Sequence, residues 1–403
     1  MVLNCNGARA CDLRRHRQPE DEGQHPGRSS GNGRSPGSRQ VAAQRSSPRR
    51  GRPICMRRSA TLAADGIRPL RVLSSEPNNR PPSNPYIAQL FDAVNALPDT
   101  VLIPMSAGAV FRPFDALHVH WPEVLVRKRS RTRSSVAVLL FVVLLIRVKI
   151  GNKPVARTVH NLDAHAPLGP FRSWLLSRLF GARTAEIHLS AWTVAETPAE
   201  TKVHIPHGHY RDWFARYETT ERVRGRFVYF GLLRAYKGVP ALVAAFQEQP
   251  GPEFSLHLAG APDTATFHAA LAAEVDRDDR ISLDARFLPE DETAMIISAA
   301  ELVVLPYDYV VNSGAALLAL SLGRPVLLRD GPTARELRDE FGESWVHTFT
   351  GVLSGTDLTS ALDRARTAPG DSEPDMAARE WPDAAVKHAK FFHALMVASR
   401  HHP

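Results

Sequence analysis

The chain has 403 residues, 43% of them hydrophobic and 23% charged, with a formal net charge of +8 at neutral pH. That length exceeds what one hydrophobic core usually organises and suits a two-domain α/β protein. The basic balance is local: residues 1–58 hold 13 Arg against 4 acidic side chains, so the remainder is nearly neutral and carries no charge footprint for nucleic acid.

Residues 1–66 are rich in Arg, Gly, Ser, Pro and Gln and lack apolar periodicity, which predicts a disordered tail. Cys5, Cys11 and Cys55 all lie in it, so the body has neither a disulfide nor a cysteine metal site, as fits a reducing cytoplasm. No signal-peptide core is visible, and Met56 is an alternative start. Residues 67–215 read as a first domain. Its opening strand is predicted at Leu70–Leu73, followed by the proline-rich loop SSEPNNRPPSNPY and a helix from about Tyr86 to Leu97. Asn84-Pro85 is a turn signal. ALHVH (116–120) reads as a strand ending in WPE, and the ends of parallel strands are where ligands collect.

Arg127, Lys128, Arg129, Arg131 and Arg133 then form a basic cluster ahead of an 11-residue apolar run, Val136–Ile146. That run is too short to span a bilayer, which takes about 20 residues. It predicts a buried core helix, with the cluster beside it suited to an anionic membrane surface. Val155–Val159 is a further strand, ending at His160 and Asn161. Ser190 and the run HIPHGHY (204–210) precede the interdomain linker. The irregular spacing of those histidines, with no carboxylate set beside them, predicts a turn at His207 and Gly208 rather than a metal site.

Residues 216–375 read as a second domain. FVYFGLLRAYKGVPALVAAF (227–246) places a strand at Phe227–Phe230, then Gly231, Arg234 and Lys237 in a connection, then a helix over Val239–Phe246. Two cations beside a helix start suit an anion. Strands are predicted at Phe254–Ala259 and Ile281–Leu283, with ARFLPEDE as a loop before a helix at Thr293–Ala300. Glu301–Pro306 reads as a buried strand, Tyr307–Gly314 as a loop and Ala315–Leu322 as an apolar helix, with Asn312 or Ser313 as N-cap. LGRPVLL supplies a tight connection and a strand at Val326–Leu328, and Met376–Met396 reads as an amphipathic helix.

These segments resemble the donor-binding half of GT-B glycosyltransferases, above all the family 4-like enzymes that use nucleotide sugars. FGLLRAYKG is similar to their phosphate loop, and LPYDYVVNSGAALLALSLGRPV to the later loop and helix that hold the diphosphate and the donor sugar. The resemblance covers about 300 residues, from the Arg71 region onward. It implies an α/β fold of two Rossmann-like, doubly wound domains facing a cleft, with a C-terminal helix (376–403) crossing back to the N-terminal domain and Trp381 as packing. One departure concerns two glutamates common in that group. Alignment on Gly323 puts Val310 and Leu318 there, so the resemblance leaves the stereochemistry open.

The resemblance also implies roles. Arg234 and Lys237 would stabilise the leaving diphosphate beside Gly231, while Asn312, Ser313, Gly314 and Ala315 would bind phosphate or sugar hydroxyls. Arg286, Phe287 and Leu288 would frame the nucleotide base through backbone groups. His160 would reach across the cleft as the catalytic residue of the first half, with Asn84 and Tyr86 as acceptor contacts. An inverting reaction needs a base, for which Glu123, His160 and Asp163 qualify. The implied function is transfer of a sugar from a nucleotide-diphosphate sugar to a glycan or lipid-linked acceptor, without metal or cofactor, in cell-envelope or exopolysaccharide synthesis at the inner face of the plasma membrane. Two alternatives are a nucleotide-sugar epimerase of the same fold and a non-catalytic nucleotide-sugar or glycan-binding module.

Overall fold

Short apolar strands, each followed by a helix or a loop, can only be covered on both faces if they pair in parallel. The chain does this twice. In a computed structural model, which describes residues 68–77, 84–127, 130–160, 168–180, 184–308, 312–367 and 373–401, the first sheet contains β1 (Leu70–Pro77), β2 (Thr100–Met105), β3 (Ala116–Val119), β4 (Val155–Val159), β5 (Ala185–His188) and β6 (Lys202–His204). Their order is β2-β1-β3-β4-β5-β6. The second sheet contains β7 (Arg226–Phe230), β8 (Ser255–Ala259), β9 (Ile281–Asp284), β10 (Leu302–Leu305), β11 (Val326–Arg329) and β12 (Val346–Phe349), in the order β12-β11-β10-β7-β8-β9. The chain changes direction across each sheet between β1 and β3 and between β7 and β10. Such switch points open a crevice at the carboxyl ends of the strands.

The central strands are buried throughout: Phe227, Val228, Tyr229 and Phe230 of β7 and Leu302–Leu305 of β10 are at most 1% exposed. Several element boundaries differ from the sequence expectation for physical reasons. β1 runs on to Pro77, into the stretch read as loop, and the next helix is Pro85–Asn95. β2 was not foreseen because it carries Pro104; it is an edge strand, where a missing N–H is tolerated. The helix predicted at Thr293 is Glu290–Ser298, so part of ARFLPEDE is helical, with Glu290, Asp291 and Glu292 favoured in its first turn by the helix dipole. The last long helix is Trp381–His401 rather than Met376–Met396, since Pro382 is accommodated only in a first turn.

That last helix packs on the first half of the chain. Trp381, Ala385 and Phe392 join Val72, Tyr86, Leu90 and Ile187 in one buried cluster. The Trp381 indole donates to the His209 carbonyl at 2.8 Å, and its ring lies so close to Gly208 that a Cβ there would fall 2.4 Å from it.

The apolar run after the basic cluster forms part of a longer helix, Arg131–Ile150, capped by the Ser130 hydroxyl. Ala137, Phe141, Leu144 and Val148 are buried, but Val136, Leu139 and Ile146 are 57%, 65% and 49% exposed. The expectation of a wholly buried core helix is therefore corrected: two sides of this helix are apolar and only one meets the sheet. No helix among the described residues is long and apolar enough to cross a membrane. The tail with its cysteines and Met56, together with Lys128, Arg129, Asp163 and Val310, lies outside the described residues.

Candidate active site

β7 delivers the chain to Gly231, whose φ of +113° is open to glycine. Its amide donates to the Ala259 carbonyl at 3.0 Å. Gly260 lies against it so tightly that a Cβ there would fall 1.7 Å from the Gly231 oxygen, and one on Gly238 (φ +70°) would fall 2.2 Å from the Pro306 oxygen. These close approaches draw the loops after β7, β8 and β10 together.

Within that knot Arg234 precedes, and Lys237 ends, the short 3-10 turn Ala235–Lys237. The Arg234 guanidinium donates to the Tyr236 hydroxyl at 3.1 Å, and Lys237 Nζ sits 4.4 Å above the Tyr307 ring. Neither cation forms an ion pair among the described residues. Burial, and secondarily the nearby Arg234 charge, push the Lys237 ammonium down to about 8. Two cations held together without a counter-charge make a place where an anion relieves both desolvation and repulsion.

After β10, Ser313 caps the helix Gly314–Ser321 by accepting from the Ala316 amide at 3.0 Å, so its hydroxyl already serves the helix start. Gly314, Ala315 and Leu318 are buried in that helix. The Arg286 side chain pairs with both Asp284 and Glu292. Phe287 is 53% exposed and Leu288 is buried; both follow β9, the edge strand two places from β7.

In the first half, His160 follows β4. Its Nε2 is 3.2 Å from His120 Nδ1, and its ring stacks on Trp121 at 4.2 Å. Tyr86 stands edge-on to His160 at 5.4 Å and also touches His120, His207 and Trp381. Burial, reinforced by the His160 and His388 charges, holds His120 well below the usual imidazole range, and burial takes His207 down to about 3. Both rings are therefore neutral. Tyr86 Oη, His120 Nε2 and Trp121 Nε1 are buried and have no hydrogen-bond partner among the described residues. Asn84 does not join them, since its Oδ1 accepts from the Tyr86 amide at 3.0 Å as a helix cap. Glu123 begins the short helix Glu123–Val126 and is half-buried.

The two halves meet at Asn312. Its Nδ2 donates to the Val159 and His160 carbonyls at 3.2 and 3.0 Å, and its Oδ1 accepts from the Ser190 hydroxyl at 2.7 Å. Among the predicted residues, the structure thus joins Asn312, His160 and Tyr86 into one neighbourhood and Gly231, Arg234 and Lys237 into another, while Asn84 caps the helix that carries Tyr86. His120, Trp121 and Tyr307 were not singled out in the sequence. The alternation of His118 and His120 just before Trp121, at the end of a strand, was the available signal. His209, expected in a plain turn, lies with Asp212 and Glu380, their ligand atoms within 4.8 Å of one another. Both carboxylates are exposed, and His209 Nδ1 accepts from the Arg211 amide.

No family model matches the chain. It is 37% identical over 336 residues to a GDP-mannose:glycolipid 4-beta-D-mannosyltransferase of Xanthomonas campestris pv. campestris, covering 82% of this chain and 94% of that protein. Among solved structures, sucrose-phosphate synthase from Thermosynechococcus elongatus matches with a TM-score of 0.55 at 16% identity, over 82% of this chain and 100% of that one. Anabaena HepE in complex with UDP and glucose matches with a TM-score of 0.54 at 14% identity, over 82% and 98%. At those identities the structural likeness speaks to the fold.

Proposed function

Because the chain belongs to the family 4-like glycosyltransferases of the GT-B fold, we propose that it transfers mannose from GDP-mannose to a glycolipid, the reaction for which its Xanthomonas relative is named. The observation that carries this reading is the pair Arg234 and Lys237, two cations with no carboxylate between them at a sheet switch point. As the bond from the sugar carbon to the diphosphate breaks, negative charge builds on the diphosphate. Both cations, together with the amides at the start of the helix Gly314–Ser321, would take up that charge. Residues 216–375 would hold the donor and 67–215 the acceptor, with 376–403 tying the halves together.

A β-linkage made from a donor whose diphosphate stands in the α position is a single inverting displacement. The acceptor oxygen bonds the sugar carbon as the diphosphate leaves, and the acceptor proton passes to a base. His160 suits that role, because neutral His120 and the Trp121 plane fix the orientation of its ring. Leu318, buried where family 4-like members commonly carry a glutamate, fits a mechanism without that carboxylate. An epimerase has no acceptor, and the relative's name specifies one. Exposed Arg127 and Arg133, beside the exposed Val136 and Leu139, favour work at an anionic membrane surface on the cytoplasmic side.

Incubating the protein with a bacterial glycolipid extract and sugar-labelled GDP-mannose, UDP-glucose or ADP-glucose tests the assignment. Label should enter the lipid phase from GDP-mannose, in β-linkage. Entry from another donor alone, or release of free sugar only, would overturn it.

A further inference from the structure

A cavity of about 170 Å3 lies beside the carboxyl ends of β1 and β2, walled by Met105, Val110, Leu125, Phe141 and Leu144. Its few polar lining groups include Ser75, and Ser75 Oγ also accepts from the His120 amide at 3.0 Å. Ser75 thus stands between the cavity and the strand end that carries His120. On the other side it is lined by Ala137, Leu140 and Phe141 of the helix Arg131–Ile150, whose adjoining face exposes Val136 and Leu139. Val136 is the i−4 neighbour of Leu140 on the helix surface, so the apolar lining runs on at the edge of the helix to the exposed Val136 and Leu139.

A sugar or a nucleotide finds little to bond in such a cavity, whereas a hydrocarbon gains by removing its surface and that of the lining from water. Exposed Arg127 and Arg133 near the start of the helix complement a phosphate-bearing head. We infer that this cavity receives the head-proximal hydrocarbon of the acceptor lipid. The acceptor's sugars then lie toward Ser75 and His120, and the rest of the chain passes over Val136 and Leu139 into the bilayer. This rests on the reading of the acceptor as a glycolipid.

Titration of the full-length protein with inorganic phosphate, ethyl phosphate and octyl phosphate, below micellar concentration, tests the inference. In the wild type, octyl phosphate should bind on the order of tenfold or more tighter than ethyl phosphate, given roughly fourfold per buried methylene until the space is filled. Ala137→Trp and Leu140→Trp, which fill the cavity, should shrink that gain to less than about threefold while leaving phosphate binding unchanged. Should Ala137→Trp fail to fold, Leu140→Trp carries the test, because Leu140 is only half-buried. Equal binding of the two alkyl phosphates by the wild type, or an undiminished gain in the folded variants, overturns the pocket. GDP titrated into the same preparations judges the donor site separately: wild-type protein that ignores GDP defeats the transferase reading whatever the chain-length result.

Discussion

Asn312 grips the backbone of His160: its side-chain amide donates to that carbonyl at 3.0 Å across 152 residues of sequence. The loop that opens the helix Gly314–Ser321 and the strand end bearing the proposed base are therefore one hydrogen-bonded unit, with Ser190 on its other side.

Replacing Asn312 with Ala removes three hydrogen bonds, each worth about 1 kcal/mol net, so stability to urea should fall by about 3 kcal/mol. Turnover should fall further than GDP affinity, because the contact aligns the halves rather than binding nucleotide. Wild-type stability together with wild-type turnover would show the contact to be dispensable.

Arg234→Ala and Lys237→Ala should each lower turnover roughly a hundredfold or more, as expected for groups that meet charge developing on a leaving diphosphate. Melting temperatures should hold. The assignment fails if both variants transfer sugar at the normal rate.

Lys237, lowered to about 8, also sets a pH signature. Its charged form is disfavoured in the fold, so between about 8 and 10.5 the unfolded chain binds the extra proton and ligand-free stability rises with pH. Binding runs the other way. GDP should bind more weakly as pH climbs through 8, with proton uptake visible as a buffer-dependent heat in calorimetry. A heat independent of buffer at pH 8.5 in the wild type, or an equal proton uptake in Lys237→Ala, would assign the effect elsewhere.

His160→Ala should keep GDP affinity within a few-fold yet lose turnover by roughly 10² to 10⁴, the pattern of a group felt mainly in the transition state. Collapse of GDP affinity with turnover intact at saturation would make it a binding residue.

Four buried histidines bear on acid stability. Burial lowers His118, His120, His207 and His388, the last to about 4, so each is neutral in the fold. Below about 6.5 the unfolded chain takes up protons that the native state refuses, and stability present above that pH is lost as pH falls. Urea unfolding should show a drop of about 4 kcal/mol or more between pH 7.5 and 5. His388→Phe should make that slope shallower, and an unchanged slope would remove His388 from the account.

Local pattern carried much of the fold. The strand of Phe227–Phe230, its glycine and the helix that follows are readable because all their determinants lie within twenty residues. Pairing β7 with β10, or His120 with His160, depends on chain segments that meet only after folding. β5 (AEIH) and β6 (KVH) were missed because each offers only one or two apolar residues among charged ones and histidine, unlike the apolar runs of β7 and β11. Asn84 and Ser313 suggest ligand contacts in the sequence because capping and ligand binding call on the same side-chain oxygens; only the backbone geometry separates the two uses.

The packing of Trp381 and Phe392 among Val72, Leu90 and Ile187 has a consequence for biosynthesis. Thr100 and His393, 3.1 Å apart in the finished molecule, are separated by 293 residues of synthesis. At ribosomal speeds of about 5–20 residues per second, the first sheet waits some tens of seconds for the helix that seals it. During that interval the second sheet can close on its own strands, while the first presents an uncovered apolar face. Nascent chains paused before residue 381 should therefore engage chaperones through their N-terminal half, and premature termination there should yield a soluble donor-side fold attached to an aggregation-prone one.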